Sequence, residues 1–416
     1  MSNLALLGGP KQHEGDWPSW PSVTEAAVER VTAVARSGLW GLGGTAIEEF
    51  QQRWAEYCEA KHCVCVNCGT TAIELALRSL GVGAGDEVIM PAYTFIATAT
   101  AALHAGAVPV FADIDADSFL LDPEAARSAV TDKTKAIIAA HIGGSPCDMD
   151  GIKEVAGEHG LFVIEDAAQA HGAIYRGRKV GALGHAGAFS FQSSKNLSGG
   201  EGGALVTNVS SLAETAWSLH NCGRTPPDAK VEQDHLGHNM RMSQFTAAVL
   251  LGGLEHLEEQ SQRRGANAAY LDERLSEVLG VTPAALARGG ERSAYHLYMM
   301  KYDERAFDGL SRDRFAEALR AEGIPIHGGY QPLYRTLATR RGSQAHECPL
   351  ACKFYGRQMD YRQVELPVTE QVCAQALWMS QWVLLGTERD MDDIAEAMLK
   401  VRDNVGELRQ VAAEDE

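Results

Sequence analysis

Phe189-Ser190-Phe191-Gln192-Ser193-Ser194-Lys195-Asn196-Leu197-Ser198-Gly199-Gly200-Glu201-Gly202-Gly203 places one lysine among small and hydroxylated residues. Ala188-Phe189-Ser190-Phe191 before it reads as a buried strand, and Gly203-Ala204-Leu205-Val206-Thr207 after it as another. Most lysines sit on solvated faces, but the flanking strands argue for a sheltered one here. The glycine pairs nearby permit close backbone approach. A lysine in a half-buried pocket loses its proton readily, and a neutral amine forms a Schiff base with an aldehyde. Pyridoxal 5'-phosphate (PLP) is the commonest such aldehyde, and it needs further groups from elsewhere in the chain.

Outward from Lys195, apolar runs and helical patterns alternate from residue 63 to about 208. Strands are expected at Cys63–Asn67, Glu87–Met90, Val108–Asp113, Ala136–His141, Phe162–Asp166, Gly187–Phe191 and Gly203–Thr207. Helices fit around Thr71–Ser79, Ala97–Ala105, Pro123–Ala129 and Met149–His159. Such alternation predicts an α/β fold with a mostly parallel seven-stranded sheet covered on both faces. Ligands then gather beyond the carboxyl ends of the strands. A helical spine is expected over Met242–Leu279, leading from a large domain (1–265, with an N-terminal arm) to a smaller α+β domain (266–416). Trp17-Pro18-Ser19-Trp20-Pro21 reads as an extended arm whose indoles pack on another surface, and the tail from Val411 as disordered.

Several residues sit where that sheet rule places ligand groups. Gly69-Thr70-Thr71 opens a helix after the first strand, offering amides, hydroxyls and a positive dipole end to a phosphate. Thr71 with Glu74 also matches a capping box, which is a purely structural reading. Ser190 adds a hydroxyl. Asp166, ending its strand, suits either a helix cap or the partner of a protonated pyridine nitrogen, and Gln169 could reach the ring's phenolic oxygen. Phe95 follows a strand and could stack on a flat ring. Asn239 and Arg241 precede the spine.

A net charge of -18 disfavours nucleic acid and anionic membranes as partners. Nine cysteines without a regular even pattern suggest a reducing cytoplasm. Cys63, Cys65 and Cys68 beside His62 look superficially like metal ligands, but no second Cys-x-x-Cys follows, and no metal is expected. The start lacks the basic region of a signal peptide. Val88–Ala112 is apolar enough to mimic a membrane span, yet Pro91, Gly106 and Pro109 break it into strand, helix and strand.

Taken together, Asn67-Cys68-Gly69-Thr70-Thr71-Ala72, Pro91-Ala92-Tyr93-Thr94-Phe95, Glu165-Asp166-Ala167-Ala168-Gln169-Ala170-His171-Gly172, Lys195, Glu201-Gly202-Gly203 and Gly237–Arg241 resemble the DegT-type sugar aminotransferases. These are a branch of the fold-type I PLP enzymes. The resemblance, running from about Trp17 to Val401, implies Lys195 as Schiff-base lysine, Asp166 at the pyridine nitrogen and Phe95 on the ring. It implies Gly69, Thr70 and Ser190 at the phosphate, with Asn239 reaching the neighbouring subunit's cofactor, hence a homodimer with shared sites. Leu7–Pro10, Trp17–Pro21 and Trp378–Gly386 look most like cyclitol (scyllo-inosose type) aminotransferases of aminoglycoside pathways and 3-amino-5-hydroxybenzoate synthases of ansamycin pathways. Gly329–Arg335 departs from both.

The implied reaction moves an amino group from glutamine or glutamate to a cyclic ketone, on a cyclitol or sugar, in antibiotic or other secondary metabolism. Three alternatives stand beside it: a lysine-bearing dehydratase that aromatises its substrate, a nucleotide-sugar aminotransferase, and a regulatory protein that binds PLP without turnover.

Overall fold

A computed structural model describes residues 3–225, 235–338, 350 and 353–414. The apolar runs become strands β1 (His62–Val66), β2 (Glu87–Pro91), β3 (Val108–Ala112), β4 (Thr134–Ala140), β5 (Phe162–Asp166), β6 (Ala186–Ser190) and β7 (Gly203–Thr207). They form one sheet in the order β1-β7-β6-β5-β4-β2-β3. Only β7 runs against its neighbours β1 and β6; the remaining pairs are parallel. Period-2 alternation sends Ile137, Ala139 and Val163 to one apolar layer and Ala136, Ile138 and Ile164 to the other. A sheet with both faces buried needs helices on each side, and the connections supply them.

Helices α1 (Gly69–Ser79) and α2 (Ala97–His104) follow β1 and β2 directly. The apolar stretch Val88–Ala112 is therefore strand, helix and strand, as read from its breaks. Among the described residues no helix is long and apolar enough to cross a membrane. The α1 capping box does not form. Cys68 is the N-cap and makes no side-chain cap bond, while Glu74 pairs with Arg78 at 3.2 Å. The helix starts two residues earlier than Thr71 because Gly69 and Thr70 already adopt its turn.

The expected single spine is two helices, α3 (Gln244–Leu254) and α4 (Leu257–Leu275), parted at Glu255 and His256. Helix α3 is apolar nearly all round and packs against the helices Glu25–Ser37 and Ala46–Tyr57, whereas α4 carries charge on its outer face. Along α4, Leu257 belongs to the core beneath the large sheet, and Ala268, Leu271 and Leu275 belong to the second core. That second core surrounds an antiparallel sheet of β8 (Val281–Pro283), β9 (Leu297–Tyr302), β10 (Ile326–Gly328) and β11 (Ala376–Ser380), ordered β8-β9-β11-β10.

Segments of each unit also reach the other. Leu333, Tyr334, Leu337, Tyr355 and Tyr361 pack back on the large sheet's outer layer. The N-terminal residues lie on the second unit, where buried Glu322 accepts from the Ala5 and Gln12 amides at 2.8 and 3.0 Å. The two indoles of the arm pack as expected: Trp17 stacks on His13 and donates to Gly323 O at 2.9 Å, and Arg264 lies over Trp20. The tail expected to be disordered continues as a helix, Val405–Glu414, which Leu408 anchors; Asp415 and Glu416 lie outside the described residues.

Candidate active site

Five parallel strand ends and the start of β7 meet at one edge, and a cavity of about 400 Å³ opens there. Residues just past β1 give it Cys68, Gly69 and Thr70; those past β2 give Thr94 and Phe95. Strand β4 leads to His141, β5 ends on Asp166 with Gln169 beyond, and β6 ends on Ser190 before Lys195. The smaller unit closes the cavity with His296 and Tyr330. A volume of this size suits a compact ring with its substituents.

Glycine is required at two points of the wall. A Cβ on Gly69 would stand 2.6 Å from Ser190 Cβ, so only glycine lets α1 begin against β6. A Cβ on Gly203 would lie 2.4 Å from Cys68 O. These contacts bring the uncapped α1 terminus, with its free amides, beside the Ser190 hydroxyl. The floor behind them is aromatic: Trp54 meets Phe189 and Phe191 edge-on at 5.0 and 5.3 Å. His171 joins this stack and its Nε2–H donates to Ser190 O at 2.8 Å, fixing the strand end that carries Ser190.

Lys195 is half-buried, and burial lowers its amine to about 8, with Asp166 pulling the other way. Its Nζ lies 3.4 Å from His296 Nε2. Burial, and then Lys195, hold His296 well below the ordinary imidazole range, so its neutral ring serves as the acceptor. His296 Nδ1 is buried without a partner. Asp166 Oδ2 accepts from Thr98 at 2.7 Å and Oδ1 from the Ala168 amide at 3.2 Å. Burial pushes its carboxyl up, and Thr98, Ala168 and Lys195 offset this in part. Gln169 accepts from the Gly143 amide at 2.8 Å and donates to Tyr330 at 3.3 Å.

The structure thus brings together Gly69, Thr70, Phe95, Asp166, Gln169, Ser190 and Lys195. Phe95 is 53% exposed, at the cavity mouth. Asn239 is exposed and does not line this cavity; its backbone pairs with Asn221, and its Oδ1 accepts from the Arg241 amide at 3.5 Å. Cys63 and Cys65 pack into the core and Cys68 into the cavity wall. Sequence reasoning missed His296, Tyr330, Thr98 and His141. Tyr330 lies inside the divergent Gly329–Arg335 stretch, a usable signal; His296 comes from the second unit, 101 residues beyond Lys195, with none.

The chain matches the DegT/DnrJ/EryC1/StrS aminotransferase family over residues 21–399. It is 39% identical to the L-glutamine:2-deoxy-scyllo-inosose aminotransferase of Streptoalloteichus tenebrarius, across 98% of this chain and 99% of that protein. It is 38% identical to the L-glutamine:scyllo-inosose aminotransferase of Streptomyces griseus, again across 98% and 99%. Among solved structures it is similar to 3-amino-5-hydroxybenzoic acid synthase: TM-score 0.81, 32% identity, 94% of this chain and 99% of that one.

Proposed function

The chain belongs to the DegT/DnrJ/EryC1/StrS aminotransferase family, and on that premise we propose that it transfers the amino group of L-glutamine to the ketone of a scyllo-inosose-type cyclitol in aminoglycoside-type antibiotic biosynthesis, with PLP as cofactor. One observation carries the reading: the Lys195 amine and the Asp166 carboxylate converge on a single cavity whose far end is an uncapped helix terminus. The donor set fits the cofactor. Amides at Gly69 and Thr70 and the Ser190 hydroxyl suit a phosphate, and the side chain that Gly69 lacks is what lets the helix terminus and Ser190 meet closely enough to share it.

When bound, PLP would supply an electron sink and a carrier for the amine. Lys195 would hold its aldehyde carbon, and its free amine would take the proton from the donor's α-carbon. An amine poised near neutral pH does this better than an ordinary lysine. Asp166 supplies the negative charge that keeps a pyridine nitrogen protonated. Phe95 would be the apolar cover, and Gln169, hydrogen-bonded to Tyr330, would reach the ring's phenolic oxygen. The unit is a cytoplasmic homodimer in which Asn239 serves the partner's cofactor.

The test uses purified protein with PLP. L-glutamine should bleach the visible cofactor band, and the aminated form should react with scyllo-inosose or 2-deoxy-scyllo-inosose in preference to keto-sugars. A preference for nucleotide-linked keto-sugars would reject the cyclitol assignment. Lys195→Ala should abolish both the band and turnover. Mixing it with Asn239→Ala tests the shared site: half the dimers are mixed and each has one intact site, so up to about a quarter of wild-type activity should return. No recovery would place Asn239 on its own subunit's cofactor.

A further inference from the structure

Beside Asp166, two threonines at the β2–α2 connection lie in series, Thr94 at the cavity wall and Thr98 outside the lining. Thr98 is fully buried in the first turn of α2, and its Oγ1 donates to Asp166 Oδ2 at 2.7 Å. Thr94, 2% exposed, places its Oγ1 3.0 Å from Thr98 Oγ1 and reaches the cavity wall. A hydroxyl has one proton to give. Thr98 commits its proton to the carboxylate, so in the second contact Thr94 is the donor and Thr98 the acceptor. Both bonds therefore point toward Asp166.

The direction has a consequence for the carboxylate. Burial favours the neutral carboxylic acid, and each donor aimed at an oxygen favours the ion instead. An ionised carboxylate has about four acceptor positions. Thr98 and the Ala168 amide use two of them, one on each oxygen, and leave the others for the cavity.

We infer that Thr94 and Thr98 form a directed hydroxyl chain that keeps Asp166 ionised and turned toward the cavity, so that Thr98 is a positioning residue for the pairing of Asp166 with the cofactor's ring nitrogen. The inference rests on the PLP reading above. Thr98 touches neither cofactor nor substrate; it acts through Asp166. A polarised Thr98 hydroxyl, itself receiving a bond from Thr94, is a stronger donor than an isolated one.

The experiment reconstitutes the full-length apoprotein with PLP and, separately, with 1-deaza-PLP, in which a carbon replaces the ring nitrogen. The ratio of the two affinities isolates the interaction at that nitrogen. Wild type should favour PLP. Thr98→Val keeps the shape and removes the hydroxyl, and should lower the ratio about ten-fold, the scale of one lost hydrogen bond to a charged group. Thr98→Ser keeps the hydroxyl and should stay within about two-fold of wild type. If Thr98→Val weakens both ligands alike, Thr98 only shapes the cavity and the inference falls. Should the valine variant not fold, Thr98→Ala is measured the same way, with the same two outcomes. A wild type that binds both ligands equally overturns the role of Asp166 at the nitrogen and this inference with it. A wild type that binds neither overturns the PLP reading itself.

Discussion

Glu165 and Asp166 are neighbours on β5, and alternation along the strand turns them to opposite faces of the sheet. Glu165 is sealed, at 0% exposure. It accepts from the amides of Gly181, Leu183 and Gly184 at 2.6, 2.7 and 2.7 Å, and from His141 Nε2–H at 3.2 Å. The His141 tautomer is set by its other nitrogen, Nδ1, which accepts from the Cys147 amide at 3.0 Å. Burial pushes the Glu165 carboxyl up, but His141 and the backbone donors outweigh it and hold the group below its usual range. Asp166 has two donors and a cavity in front of it. A carboxylate whose acceptor positions are all used ties loops together; one with positions left over is available to a ligand. The same chemical group does both jobs one residue apart.

Substitution should separate those jobs. Asp166→Asn is the largest expected effect: turnover falls by orders of magnitude while the protein stays folded, because a neutral amide cannot keep a pyridine nitrogen protonated. Steady-state rates beside a denaturation curve would check it, and near-normal turnover would assign the electron-sink role to another group. Glu165→Gln should do the reverse. Its amide faces amide donors, so it loses bonds that a carboxylate made, at a cost of about 3 kcal/mol in unfolding free energy. Urea titration of the apoprotein measures this, and an unchanged midpoint would show that the loop around Gly181 does not depend on Glu165.

The smallest effect is a difference in slope with pH. Glu165 has a folded-state pKa below its ordinary 4.5, so its contribution to stability is present above 4.5 and is lost as pH falls toward the folded value. Asp166 has a folded-state pKa above its ordinary 3.8, so its contribution has the opposite sign: relative to Asp166→Asn, wild-type stability falls as pH rises from 3.8 through the raised value. Unfolding free energies of wild type, Glu165→Gln and Asp166→Asn between about pH 3 and 7 would expose the two opposed slopes. Parallel slopes would mean that both carboxylates are structurally satisfied.

The chain's order of elements was legible before any coordinates, since alternating short apolar runs and helical patterns admit few arrangements other than a covered parallel sheet. Phe162–Asp166 and Gly203–Thr207 are strands with the bounds expected. The residues at strand ends were legible for the same reason: the sheet rule assigns Gly69, Asp166, Ser190 and Lys195 to one edge whatever the side chains do. Tertiary structure decided the rest. The α1 cap depended on how closely Gly69 approaches Ser190, and the break in the spine on where two cores part company. His296 meets Lys195 only because the second unit folds over the sheet edge, a contact between segments 101 residues apart that no local pattern encodes. The motif Glu165-Asp166 reads as two acids in a row; which one faces the cavity follows from period 2, but which keeps acceptor positions free follows from the loops that close around each.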